Sequence, residues 1–139
     1  MKDGDLVKIS SMQRGLIGDD LEEQFKFLIR VIKEGVDRSE FQMVMNVLVD
    51  LADRQWETYE LLPELTRREL GSLIVFIWDR NSLDSTEMML GIIARLGLGA
   101  AMSYVINSVN ALLDPQVKQA ILDANLEFGE NVDDPYSGM

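Results

Sequence analysis

Apolar residues recur three and four apart along most of the chain, and the breaks between these runs carry helix-capping residues. A polar, glycine-containing stretch over 1–18 predicts an irregular N-terminal arm. Asp20-x-x-Glu23 then has the spacing of a capping box, in which each side chain satisfies an orphan backbone N–H of the first turn. Phe25, Leu28, Ile29 and Ile32 follow, with Gly35 where a left-handed terminating residue is wanted, so a first helix is predicted over about 20–34. Ser39-x-x-Gln42 opens a second. Its polar positions Asn46, Asp50, Asp53, Glu57 and Glu60 step by four, three, four and three along one face, away from Phe41, Val44, Val47, Leu48 and Leu51. The pattern carries this helix to about Leu62, before Pro63, with a break near Arg54-Gln55 as the competing reading.

Thr66-x-x-Glu69 opens a third helix containing the run Leu73-Ile74-Val75-Phe76-Ile77-Trp78. Such a run also suits a buried strand, but the flanking caps favour helix. A turn over 79–82 leads to Asp84-x-x-Glu87 and a fourth helix ending at Gly97; a fifth is predicted over about 100–112. Asp114-Pro115 supplies an N-cap and a first-turn proline for a sixth, which ends before Gly129. Residues 82–97 and 114–129 superimpose at an offset of 32, matching Met89 with Ile121, Leu90 with Leu122 and Leu96 with Phe128. The fold class is therefore all-α: about six helices in stacked antiparallel pairs, as a HEAT-like right-handed stack or a helical bundle. One helical domain over 19–129 is expected, followed by an acidic tail over 130–139. That tail either frays or docks through Val132 and Tyr136.

Composition narrows the chemistry. The 139 residues include no cysteine and no histidine. Disulfides, thiolate or imidazole metal ligation, and histidine-activated nucleophiles are thereby excluded. The fifth, sixth and twelfth positions of the loop beginning Asp79-x-Asn81 are Leu83, Asp84 and Leu90, which fails as a calcium loop. Gly97-Leu98-Gly99 lacks the rest of a phosphate-binding loop. No cofactor is expected, and no enzymatic activity.

With 24 acidic and 13 basic residues the formal charge is −11, which repels nucleic acid. It suits either a basic protein partner or simple solubility. The N-terminus lacks the layout of a signal peptide, and the apolar stretch 88–113 is interrupted by Arg95, Gly97 and Gly99. A cytoplasmic protein without a membrane segment is expected. The candidate partner-binding residues are Asp50, Asp53, Glu57 and Glu60 for charge, with Trp56 and Tyr59 interleaved as aromatic anchors. The competing reading is a solvated helix face with Trp56 buried against a neighbour. Arg67-Arg68, the one basic doublet, pairs with Glu64 or Glu69 or meets a partner.

The segment from Trp78-Asp79-Arg80-Asn81-Ser82-Leu83-Asp84 through Ser85-Thr86-Glu87-Met88-Met89-Leu90-Gly91-Ile92-Ile93, with the closing Asp134-Pro135-Tyr136-Ser137-Gly138, resembles small helical bacterial immunity proteins. These belong to contact-dependent growth inhibition and related polymorphic toxin systems. The resemblance covers roughly 66–139 and rests on helix texture. It implies a protein that binds a secreted toxin domain, often a basic nuclease, and occludes its active site or substrate access. Carboxylates would then imitate a phosphate-bearing substrate.

Overall fold

In the computed structural model the described residues are 3–13, 20–110 and 113–136. Among them the chain forms seven α-helices and no strand: α1 (Asp3–Gln13), α2 (Leu21–Glu34), α3 (Phe41–Glu57), α4 (Glu64–Ile77), α5 (Leu83–Leu96), α6 (Gly99–Asn107) and α7 (Pro115–Phe128). Short 3-10 turns at Arg38–Glu40 and Gly129–Asn131 precede α3 and follow α7. Side-chain caps set the starts of α2, α5 and α7. Asp20 accepts the Glu23 N–H at 2.9 Å and starts α2. Asp114 accepts from Gln116 at 2.8 Å and starts α7, with Pro115 in its first turn.

Several expectations are corrected. The lead-in over 3–13 is helical, not irregular. Ile9 and Met12, three apart, are buried, and Asp5 pairs with Arg30 of α2 at 3.0 Å. The helix is stabilised by tertiary contacts that its weak polar–apolar pattern does not announce. The entry to α3 is set by the Glu40 carboxylate, which accepts the Asp37 N–H, and not by Ser39 with Gln42. Helix α3 stops at Glu57, five residues before Leu62, and α4 begins at Glu64, directly after Pro63. Ser82 caps α5 in place of Asp84, accepting from the Ser85 N–H at 3.1 Å. Helix α6 ends at Asn107, so the expected helix over 100–112 is shorter; residues 111 and 112 lie outside the described ones. The matched segments 82–97 and 114–129 begin alike but end differently. Gly97 is left-handed, φ +71°, whereas Gly129 stays right-handed and leads into a 3-10 turn.

The helices pack in two layers. α1, α3, α5 and α7 lie side by side in one, with α3 against α5 the most extensive contact. α2, α4 and α6 form the other, and from α2 onward each helix also touches the next one in the chain across the gap, as in stacked antiparallel pairs. The core between them includes Phe25 and Leu28 of α2, Met45, Leu48 and Leu51 of α3, Leu70 and Ile74 of α4, and Met89, Ile92 and Ile93 of α5. Burying each such side chain contributes about 1.5–3 kcal/mol. The run 73–78 behaves as a helix face: Ile74 and Ile77 are buried while Phe76 points outward. Trp78, just past α4, is buried, and its indole N–H donates to the Thr86 hydroxyl at 2.8 Å. Gly97 divides the apolar stretch 88–113, and no helix among the described residues is long and apolar enough to cross a membrane.

Candidate functional site

The C-terminus of α3 is built from side chains turned back on the backbone. The Thr58 hydroxyl donates to the Gln55 carbonyl at 2.6 Å, closing the last turn. The buried Gln55 amide reaches forward and donates to the Glu60 carbonyl at 2.8 Å. Between them Tyr59 adopts φ +59°, the left-handed conformation that glycine or asparagine ordinarily supplies at a helix end. The predicted acidic line is thus cut. Asp50, Asp53 and Glu57 remain on α3, while Tyr59 and Glu60 lie in the turn that follows it.

The four carboxylates are not equivalent. Asp50 pairs with Arg54 on its own helix at 2.9 Å, and Asp53 reaches Arg95 of α5 at 2.5 Å. Both pairs are half-exposed, a setting in which an ion pair contributes at most about 1 kcal/mol. Glu57 and Glu60 are exposed and have no ion pair among the described residues. Of these four, the two without an ion pair thus lie at and just past the end of α3.

The C-terminal tail completes this end. Val132 is buried, and Tyr136 lies against both aromatics, with ring centroids 6.2 Å from Trp56 and 5.5 Å from Tyr59. Its hydroxyl donates to the Trp56 carbonyl at 2.9 Å. Burial pushes the Tyr136 phenol up from its ordinary value, and the neighbouring Tyr59 and Glu60 act in the same direction. The seat of the tail is the turn between α5 and α6. A side chain at Gly97 would meet Pro135 and the Val132 and Asp133 carbonyls, and one at Gly99 would overlap the Asp133 carboxylate. That carboxylate sits at the N-terminus of α6, which has no side-chain cap of its own and favours negative charge. Arg67 ties the same region together, donating to the Leu62 carbonyl at 3.1 Å and the Gly97 carbonyl at 3.3 Å. Arg68 pairs with Glu64.

The result is a partly buried Trp56, a Tyr59 that is 64% exposed, and two carboxylates without an ion pair among the described residues, all on one end of the molecule. Leu61 and Leu65, in the connection to α4 and its first turn, are exposed as well. They belong to this end but carried no periodic signal, because the turn at 58–63 breaks the helical register. Among the described residues no cluster of three or more carboxylates is disposed to hold a metal ion. The arrangement offers recognition through an aromatic and aliphatic surface edged with negative charge.

A second feature escaped the sequence. An open groove of about 1460 Å³ follows α4 and is walled by α6, the first turn of α3 and the turn at 78–81. Its residues are scattered from Arg38 to Asp133, so no local motif marks it. Comparison with protein-family models, curated proteins and solved structures finds no match to this chain.

Proposed function

We propose that this chain is a binding protein whose partner is a basic protein, engaged through Trp56, Tyr59 and Tyr136 together with Glu57 and Glu60. The reading rests above all on Tyr59. Its left-handed backbone would be less costly with glycine, by roughly 1 kcal/mol, yet it carries a large ring held largely in water. A strained residue that presents an exposed aromatic is the kind of feature a recognition surface retains. Because Tyr136 packs against both other rings, little side-chain freedom remains to be lost on binding. Glu57 and Glu60, without an ion pair among the described residues, supply the complementary charge that steers a basic partner to the surface.

Among basic partners, the resemblance to immunity proteins favours a toxin domain, neutralised by occluding its active or substrate-binding site in the cytoplasm. Asp50 and Asp53 then serve at the margin, since their arginine partners already offset much of their charge. The test is binding to the toxin domain encoded beside this chain, with rescue of growth on co-expression. Glu57→Lys with Glu60→Lys is expected to weaken that binding at least about tenfold and raise its off-rate, without altering the melting temperature much. Undiminished affinity in this double variant removes the surface from the interface. The two-layer stack also suits a helical-repeat adaptor for a basic protein or peptide. Stable incorporation into a larger assembly, without rescue from a toxin, selects that reading.

A further inference from the structure

The α4 groove departs from the acidic balance of the chain as a whole. The chain carries a formal charge of −11, yet four arginines, Arg38, Arg67, Arg68 and Arg80, line this groove against three carboxylates. Two of those carboxylates have partners, and the third lies at a helix N-terminus. Glu64 pairs with Arg68, Asp79 accepts the Asn81 N–H, and Asp133 lies at the start of α6. By contrast, Arg38, Arg67 and Arg80 have no carboxylate partner among the described residues. Arg67 is held by two backbone carbonyls. Arg80 lies 4.9 Å from the Trp78 ring centroid and donates to the Tyr104 hydroxyl at 3.0 Å. Carboxylates outnumber basic groups almost two to one, so three guanidinium groups lacking one and facing the same groove are a selective arrangement.

Apolar surface accompanies the charge. Phe76 is 66% and Tyr104 51% exposed, and Phe41 meets Phe76 edge-on with centroids 5.9 Å apart. The groove, at about 1460 Å³, is larger than the roughly 300–1,000 Å³ typical of small-molecule sites. We infer that the α4 groove is a second docking surface, which receives an acidic segment of a partner protein. Carboxylates of that segment pair with Arg38 and Arg80, and an apolar side chain beside them packs on Phe76 and Tyr104. Planar guanidinium groups bind carboxylates bidentately, and those of Arg38 and Arg80 are not paired with a carboxylate among the described residues. The groove shares none of the residues proposed to contact the basic partner, Trp56, Glu57, Tyr59, Glu60 and Tyr136, so either assignment can fail without the other.

The experiment is selection of peptides from a random display library on the full chain, followed by affinity measurement of the enriched peptides. Enriched sequences are expected to place aspartate or glutamate beside an aromatic or aliphatic residue. Arg38→Glu and Phe76→Ser, both at exposed positions, should each weaken their binding roughly tenfold or more, as expected for loss of a charge-assisted pair or an aromatic anchor. Glu57→Lys should leave it unchanged. A thermal melt checks that each variant is folded, and the milder Arg38→Gln and Phe76→Leu replace any that is not. Absence of enrichment, enrichment of basic peptides, or affinity indifferent to these substitutions overturns the proposal. Displacement of the selected peptides by a single-stranded oligonucleotide at lower concentration than by free acidic peptide also overturns it, assigning the groove to phosphate.

Discussion

The Tyr136 hydroxyl donates to the carbonyl oxygen of Trp56 across 80 residues of chain, fastening the C-terminal tail to the end of α3. The same ring lies against Tyr59, so one tail residue organises both aromatics of the candidate surface. Tyr136→Phe removes the hydrogen bond and keeps the ring contacts. It is expected to lower stability by about 0.5–1.5 kcal/mol, whereas Tyr136→Ala, which also removes the rings' contact, should lower it further. Urea unfolding of the three proteins measures the difference. Equal stability of Tyr136→Ala and the parent chain would mean that the tail is not fastened in solution.

Alkaline pH should act through the same residue. Burial raises the Tyr136 phenol above the ordinary tyrosine value of about 10. A group whose folded-state value is raised stabilises the fold fully below its unfolded value and loses that contribution as pH climbs through the folded one. Stability is therefore expected to fall more steeply above about pH 10 in the parent chain than in Tyr136→Phe. Unfolding midpoints between about pH 8 and 11, with phenolate absorbance followed in parallel, decide the matter. Parallel profiles in the two proteins would remove Tyr136 as the source.

Gly99 and Asp133 should be energetically coupled. A Cβ at Gly99 would fall 2.1 Å from the nearer Asp133 carboxylate oxygen, so Gly99→Ala must drive that side chain from the N-terminus of α6. The expected loss is about 1 kcal/mol, combining the displaced charge with local repacking. In an Asp133→Ala background the same substitution should be nearly neutral. Calorimetry on the double-mutant cycle reads the coupling, and strict additivity would contradict the contact.

Trp78 and Thr86 give a core prediction. Thr86 is fully buried and accepts from the Trp78 indole N–H while donating to the Ser82 carbonyl. Thr86→Val conserves shape but leaves the indole N–H without its acceptor. A loss of about 1–3 kcal/mol in chemical unfolding is expected, well above that for Thr58→Val, whose hydroxyl partners are nearer to solvent.

The legible parts of this fold were those written locally. Asp20, Asp114 and Pro115 set helix starts through contacts with residues two or three positions away, and the core faces followed the helical period. What escaped depends on distant partners. Helix α1 is fixed by Asp5 with Arg30 and by burial of Ile9, and its own pattern is nearly featureless. The end of α3 escaped because tyrosine occupies a left-handed position where glycine would have announced the stop. All six candidate site residues fall between Asp50 and Glu60, but their even spacing hid the turn at 58–60 and the arginines that occupy Asp50 and Asp53. Tyr136 was legible as a docking candidate; its contact with Trp56 and Tyr59 was not.

A stack of helix pairs that touch only their neighbours unwinds from its ends, each unit opening on its own account. Here the last segment reaches back past α5–α7 to the end of α3 and latches the far end of the stack. The Tyr136 latch follows closely on α7, and it is also part of the proposed recognition surface. A partner that grips that surface therefore holds the whole far end shut, and its arrival should register as slower amide exchange in α7, a helix it need never touch.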